Sequence, residues 1–157
     1  KATIPNLQVL VGKSHNVFLK DIPTYYKIEE DARKAILSGT AALVCSGTAT
    51  LECAIETIPM VVCYKLNPIS WIIAKIMTNI KYTAMVNLIA NENIVAECLQ
   101  RDMNPITLTN QLLPLLDLES EKRNNMLSKF DSVIKSLGEP GVYGRAAAAI
   151  LERMKLN

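Results

Sequence analysis

At 157 residues the chain has the length of one domain and can bury a sizeable core. It is 50% hydrophobic and 20% charged with a net charge of +2, a balance that excludes a disordered chain. Its scattered basic residues, without interleaved aromatics, argue against a nucleic-acid groove. No signal peptide is legible, and no apolar run reaches the ~18 residues of a membrane span.

The four cysteines, Cys45, Cys53, Cys63 and Cys98, show no CxxC spacing, and Cys45 and Cys63 lie inside apolar strand-like runs. They are expected to be buried, reduced thiols of a cytosolic protein rather than metal ligands. The chain opens on Lys1 rather than Met, which suits a fragment, a tag scar or a processed terminus.

Leu7 to Gly12 reads as a first strand, and Asn16 to Leu19 as a short second one after a Lys13-Ser14-His15 turn. From Tyr25 to Ser38 the apolar positions Ile28, Ala32, Ala35 and Ile36 recur at helical spacing, with acids early and Lys34 later. Gly39 closes that helix.

Ala42 to Cys45 then reads as a short buried strand, Ser46-Gly47-Thr48 as a tight turn, and Ala49 to about Glu56 as a helix that follows without a spacer. A strand that feeds a helix this abruptly leaves free backbone N–H groups at the positive end of the helix dipole. Such a turn suits a phosphate or diphosphate, and Gly47 lets it approach the backbone. Glu52, four residues after Thr48, falls on the same helix face and is placed to accept hydrogen bonds from sugar hydroxyls. The same residues also read as an ordinary cap, turn and dipole-matched acid.

Met60 to Tyr64 reads as a strand buried on both faces, which completes a βαβ unit and implies a parallel sheet. Ligands of such sheets bind beyond the carboxyl ends of the strands, where Ser46, Gly47, Thr48 and Lys65 lie. Pro68 to Ile80 is a strongly apolar helix around Trp71, read either as a core or subunit-interface helix or as one lying at a membrane surface. Tyr82 to Leu88 is expected as a strand and loop carrying Asn87, and Asn93 to Gln100 as a helix with Glu97 and Gln100 on its polar side. Pro105 to Leu116, with a kink at Pro114, Glu119 to Leu137, and Val142 to Met154 are three further helices. The Ala146 to Ala149 run of the last suits close packing on another surface. His15, the only histidine, has no nucleophile or carboxylate at a recognisable spacing.

The runs Ser46-Gly47-Thr48-Ala49-Thr50-Leu51-Glu52, Pro59-Met60-Val61-Val62, Tyr64-Lys65, Asn87-Leu88-Ile89-Ala90 and Leu112-Leu113-Pro114-Leu115-Leu116 together resemble bacterial lipid-A-disaccharide synthase, an inverting glycosyltransferase of the GT-B architecture. The resemblance implies an α/β fold, a Rossmann-like parallel sheet flanked by helices. The chain would be a single UDP-sugar-binding domain over residues 1–157, with C-terminal helices from about 105 to 155 and no N-terminal acceptor domain. The family transfers diacylglucosamine from its UDP donor to an acylated glucosamine 1-phosphate acceptor in lipid A biosynthesis.

Carried over residue by residue, Ser46, Gly47 and Thr48 would meet the UDP diphosphate and Glu52 the ribose. Asn87 matches a family residue important for activity, and Lys65 and Glu97 are candidates for phosphate or loop contacts. The resemblance implies no metal and no cofactor, a cytoplasmic protein peripheral to the inner membrane, and a homodimer with exchanged C-terminal segments. Two substitutions depart from the family: Lys65 stands where Arg is common and Val86 where Pro is common. The family's Gly-Ser-Arg loop is also missing. A non-catalytic α/β nucleotide-binding or scaffold module, and an epimerase of the same architecture acting on a UDP-sugar, are the competing readings.

Overall fold

The computed structural model describes residue 4 and residues 6–13, 17–77 and 81–155. His15 and the Ile80 end of the Trp71 helix lie outside the described residues.

The elements in chain order are β1 (Leu10–Gly12), β2 (Lys27–Glu29), α1 (Ala32–Leu37), β3 (Ala42–Val44), α2 (Thr48–Ile55), β4 (Met60–Tyr64), α3 (Pro68–Met77), α4 (Met85–Ala90), β5 (Ala96–Leu99), a 3-10 turn at Gln100–Asp102, α5 (Pro105–Leu116), α6 (Glu121–Ser136) and α7 (Val142–Lys155). All strand pairs are parallel, in a two-stranded sheet β1-β2 and a three-stranded sheet β3-β4-β5. The chain is therefore α/β, with parallel sheets flanked by helices, as the βαβ spacing implies.

The strand β4 is the middle of the larger sheet, and its Met60, Val61 and Val62 are fully buried. Around it close Cys53 and Ala54 of α2, Val86 of α4, Val95 before β5, Leu115 of α5, and Met126, Phe130 and Val133 of α6. A continuous apolar strand covered on both faces is the expected signature of a parallel sheet. Arg123 of α6 fastens the layers by donating to the Thr40 and Leu115 carbonyls, both at 2.7 Å. Pro114 sits inside α5, which continues to Leu116.

Several local expectations are corrected. Val17 to Leu19 forms no strand: among the described residues the segment has no strand partner, and Phe18 is 94% exposed. The partner of β1 is instead Lys27–Glu29, and the helix starts only at Ala32, where the Asp31 side chain caps it by accepting from the Arg33 and Lys34 N–H groups. Ile28, counted as a helical position, is a strand residue. Tyr82 to Leu88 is a loop entering helix α4, and Asn93 to Gln100 holds β5, because the open edge of β4 gives residues 96–99 backbone partners. Finally, Cys45 is exposed and Cys63 half-buried, whereas Cys53 and Cys98 are buried. The strand β3 stops at Val44, so Cys45 lies past its end.

Candidate functional site

The Ser46-Gly47-Thr48 turn sits where β3 passes into α2. Gly47 has φ 118° and ψ −158°, a conformation essentially restricted to glycine. No atom of the described residues lies within 4 Å of a Cβ built there, so it is the backbone that demands glycine. Gly47 is the N-cap of α2 and no side chain caps that helix. Among the described residues, the N–H groups of Gly47, Thr48 and Ala49 have no hydrogen-bond acceptor. They point, with the helix dipole, at the space the turn leaves free.

The turn is braced from behind. The Ser46 hydroxyl donates to the Thr83 carbonyl at 2.8 Å, and the Thr50 hydroxyl donates to the Gly47 carbonyl at 2.8 Å while accepting from the Met85 N–H at 3.2 Å. Thus the starts of α2 and α4 are latched together. What the turn offers an anion is its backbone, with Ser46 serving as an anchor. Thr48 and Glu52 are exposed on the same side of α2 one turn apart, and the Glu52 carboxylate has no hydrogen-bond donor among the described residues. Lys65 is exposed past the end of β4. Its neighbour Leu66 is clamped by Gln100, whose side chain accepts from the Leu66 N–H at 2.7 Å and donates to its carbonyl at 3.2 Å.

Glu97 and Asn87 lie behind this surface. The Glu97 carboxylate accepts from the Thr83 N–H at 2.8 Å, the Thr83 hydroxyl at 2.5 Å, the Ala84 N–H at 3.0 Å and the Asn87 amide at 2.9 Å. Burial pushes its carboxyl up, but these four donors together outweigh that and hold it below the ordinary carboxylate value. Glu97 therefore makes loop contacts.

Asn87 corrects the expectation of a loop residue: it lies in α4 at 0% exposure. Its amide donates to the Val95 carbonyl at 2.9 Å and to Glu97, and its carbonyl accepts from the Ile94 and Val95 N–H groups at 2.8 and 2.9 Å. The side chain is fully engaged inside the protein.

Of the expected site residues, the structure gathers Ser46, Gly47, Thr48 and Glu52 on one helix start, sets Lys65 past the end of the adjacent strand, and puts Asn87 and Glu97 in the support beneath. Thr83, Thr50 and Gln100 were missed. Thr83 and Gln100 carry no local signal, because their partners are 14 to 37 positions away in sequence.

With this geometry in place, comparison with known proteins decides the family. The lipid-A-disaccharide synthetase family model matches residues 6–151. The chain belongs to the lipid-A-disaccharide synthase family. It is similar to lipid-A-disaccharide synthase of Yersinia pseudotuberculosis, 40% identical over 95% of this chain and 40% of the relative. The Anaeromyxobacter dehalogenans enzyme of the same name is 36% identical over 82% of this chain and 33% of the relative. That of Blochmanniella floridana is 30% identical over 86% and 38%. The chain thus spans between a third and two-fifths of the length of these synthases.

Proposed function

We propose that this chain is the C-terminal, nucleotide-sugar-binding half of a lipid-A-disaccharide synthase, and that residues 1–157 form one UDP-sugar-binding domain. The whole enzyme transfers 2,3-diacylglucosamine, with inversion, from its UDP donor to the acceptor 2,3-diacylglucosamine 1-phosphate. One observation carries the reading: three unpartnered N–H groups at the start of α2, held by a glycine-only backbone, with an exposed carboxylate one turn along.

In this scheme the Gly47, Thr48 and Ala49 N–H groups receive the diphosphate and Glu52 accepts from the ribose hydroxyls. As the glycosidic bond breaks, negative charge collects on the departing UDP. Preorganised N–H donors stabilise that charge at no reorganisation cost. Lys65 adds a point charge from the neighbouring strand end. Asn87 and Glu97 act as positioning residues that hold α4 and the Thr83 loop against Ser46. The general base for the acceptor hydroxyl is supplied from outside the residues assembled here.

Two surfaces fit the same reading. Ile69, Ile72, Ile73 and Ile76 are all exposed and fall at i, i+3, i+4 and i+7 of α3, an apolar stripe suited to the inner-membrane surface from which acylated sugars are drawn. No helix of the described residues is long and apolar enough to cross a membrane. In this reading the protein works at the cytoplasmic face of the inner membrane as a peripheral protein. The helix α7 is exposed along its described length, with Ile150, Leu151 and Met154 uncovered, and suits exchange with a second copy in a homodimer.

The test is the transferase assay on the full-length protein with Gly47→Val. A side chain at φ 118° distorts the turn, and loss of an oriented donor costs on the order of a hundredfold in turnover. Undiminished transfer would refute the assignment. A non-catalytic nucleotide-binding or scaffold module, favoured by Lys65 and Val86 where the family carries Arg and Pro, is the second reading. It predicts no transfer by the unsubstituted full-length protein.

A further inference from the structure

The carboxyl ends of the three central strands carry a row of thiols that the donor site does not use. Cys63 and Cys98 are register partners on β4 and β5. One strand over, Val44 at the end of β3 pairs with Val62, and continuing that register one residue past the strand end sets Cys45 beside Cys63. Register partners on parallel strands project to the same face, and neighbouring strands lie about 4.8 Å apart. That spacing falls inside the roughly 4.4–6.8 Å Cα separation that a disulfide bridges.

The three thiols differ in access: Cys45 is exposed, Cys63 half-buried and Cys98 buried. The exposure of Cys45, past the end of β3, lets a small molecule reach it. The Cys63 thiol is pushed up by burial and then by its neighbours Cys45 and Cys98, which agrees with the closeness that the register implies. Among the described residues no group of three or more His, Cys, Asp or Glu could hold a metal ion.

We propose that Cys45 and Cys63 form a reversible thiol–disulfide site whose reaction partner is a low-molecular-weight disulfide such as oxidised glutathione. The Cys45 thiolate attacks one sulfur of that disulfide, breaks its S–S bond and releases one glutathione thiolate. The Cys63 thiolate then attacks the Cys45 sulfur, forms the protein disulfide and expels the second glutathione. Two protein thiols are oxidised, one small disulfide is reduced to two thiols, and the two protons given up by the cysteines pass to the two glutathiones. Because burial disfavours the Cys63 thiolate, the second step quickens as pH rises. The bond ties the residue preceding Ser46 to β4, so oxidation acts on the strand end that carries the anion-binding turn.

The test incubates the folded protein with oxidised glutathione, caps remaining thiols with iodoacetamide and maps the peptides by mass spectrometry. A Cys45–Cys63 linked peptide is expected, removed by dithiothreitol, while Cys63→Ser stops at a Cys45–glutathione adduct and Cys45→Ser gives neither. Circular dichroism on each variant establishes that it is folded. The proposal is overturned if the unsubstituted protein also stops at the Cys45–glutathione adduct with Cys63 capped by iodoacetamide. Bridging of Cys63 to Cys98 instead, or an unmodified Cys45 in folded protein, overturns it equally.

Discussion

The Ser46 hydroxyl donates to the Thr83 carbonyl at 2.8 Å across 37 positions of sequence. Thr83 is itself held by Glu97 through both its N–H and its hydroxyl. A chain of contacts therefore runs from the Ser46-Gly47-Thr48 turn, through the loop before α4, to a carboxylate on β5. The side chains that position the turn stand one layer behind its backbone.

Glu97→Gln tests that chain. The substitution keeps the shape but replaces one acceptor oxygen with a donor amide, which faces the Thr83 and Ala84 N–H groups. Hydrogen bonds to a charged group contribute about 1.5–3 kcal/mol each when buried; partial solvent exposure at Glu97 brings the expected loss of stability to about 1–2 kcal/mol in urea unfolding. The sign of the pH dependence follows from the lowered carboxyl of Glu97. Its contribution is present above the ordinary carboxylate value and is lost as pH falls through the lower, folded-state value. The unsubstituted protein should lose stability on acidification over that range, and Glu97→Gln should lose less.

Asn87→Ala should be more damaging. It strips partners from the Ile94 and Val95 N–H groups and the Val95 carbonyl, and unsatisfied buried groups cost about 1–3 kcal/mol each. A total of about 3 kcal/mol or more is expected by chemical denaturation. Asn87→Ala with unchanged stability would remove the positioning role assigned to this residue.

Thr57→Gly should stabilise the protein. After α2, the Thr57 N–H bonds to the Ala54 carbonyl and the Ile58 N–H to the Cys53 carbonyl, the Schellman pattern in which the C′ residue adopts a left-handed conformation. Thr57 occupies that position at φ 55°, which is unfavourable for a β-branched side chain. Relief of about 1 kcal/mol is expected, read as a rise in the urea midpoint.

The parts of this fold legible in the sequence are those whose neighbours in space are neighbours in the chain. The β3–turn–α2–β4 unit could be read directly: Gly47 marks the turn, and the apolar Met60–Tyr64 run could only be a covered strand. The element at Ala96–Leu99 could not. Val95 and Cys98 are spaced as on a helix, and only the open edge of β4 decides for a strand. The same holds for Glu97, whose mid-strand carboxylate looks like a helix's polar side until Thr83 and Asn87 are folded over it. Ile28 was assigned to a helix because nothing local shows that β1 waits beside it. The turn at Ser46-Gly47-Thr48 was legible in the sequence, and its bracing by Thr83 and the Gln100 clamp on Leu66 were not.

The most direct test of the account is UDP binding by titration calorimetry, on the full-length protein and on its Glu52→Ala variant. The account predicts binding by the unsubstituted protein and a loss of about 1.5–3 kcal/mol in the variant, the value of hydrogen bonds to a charged acceptor. Equal binding by both proteins, or none by a folded unsubstituted protein, would contradict it.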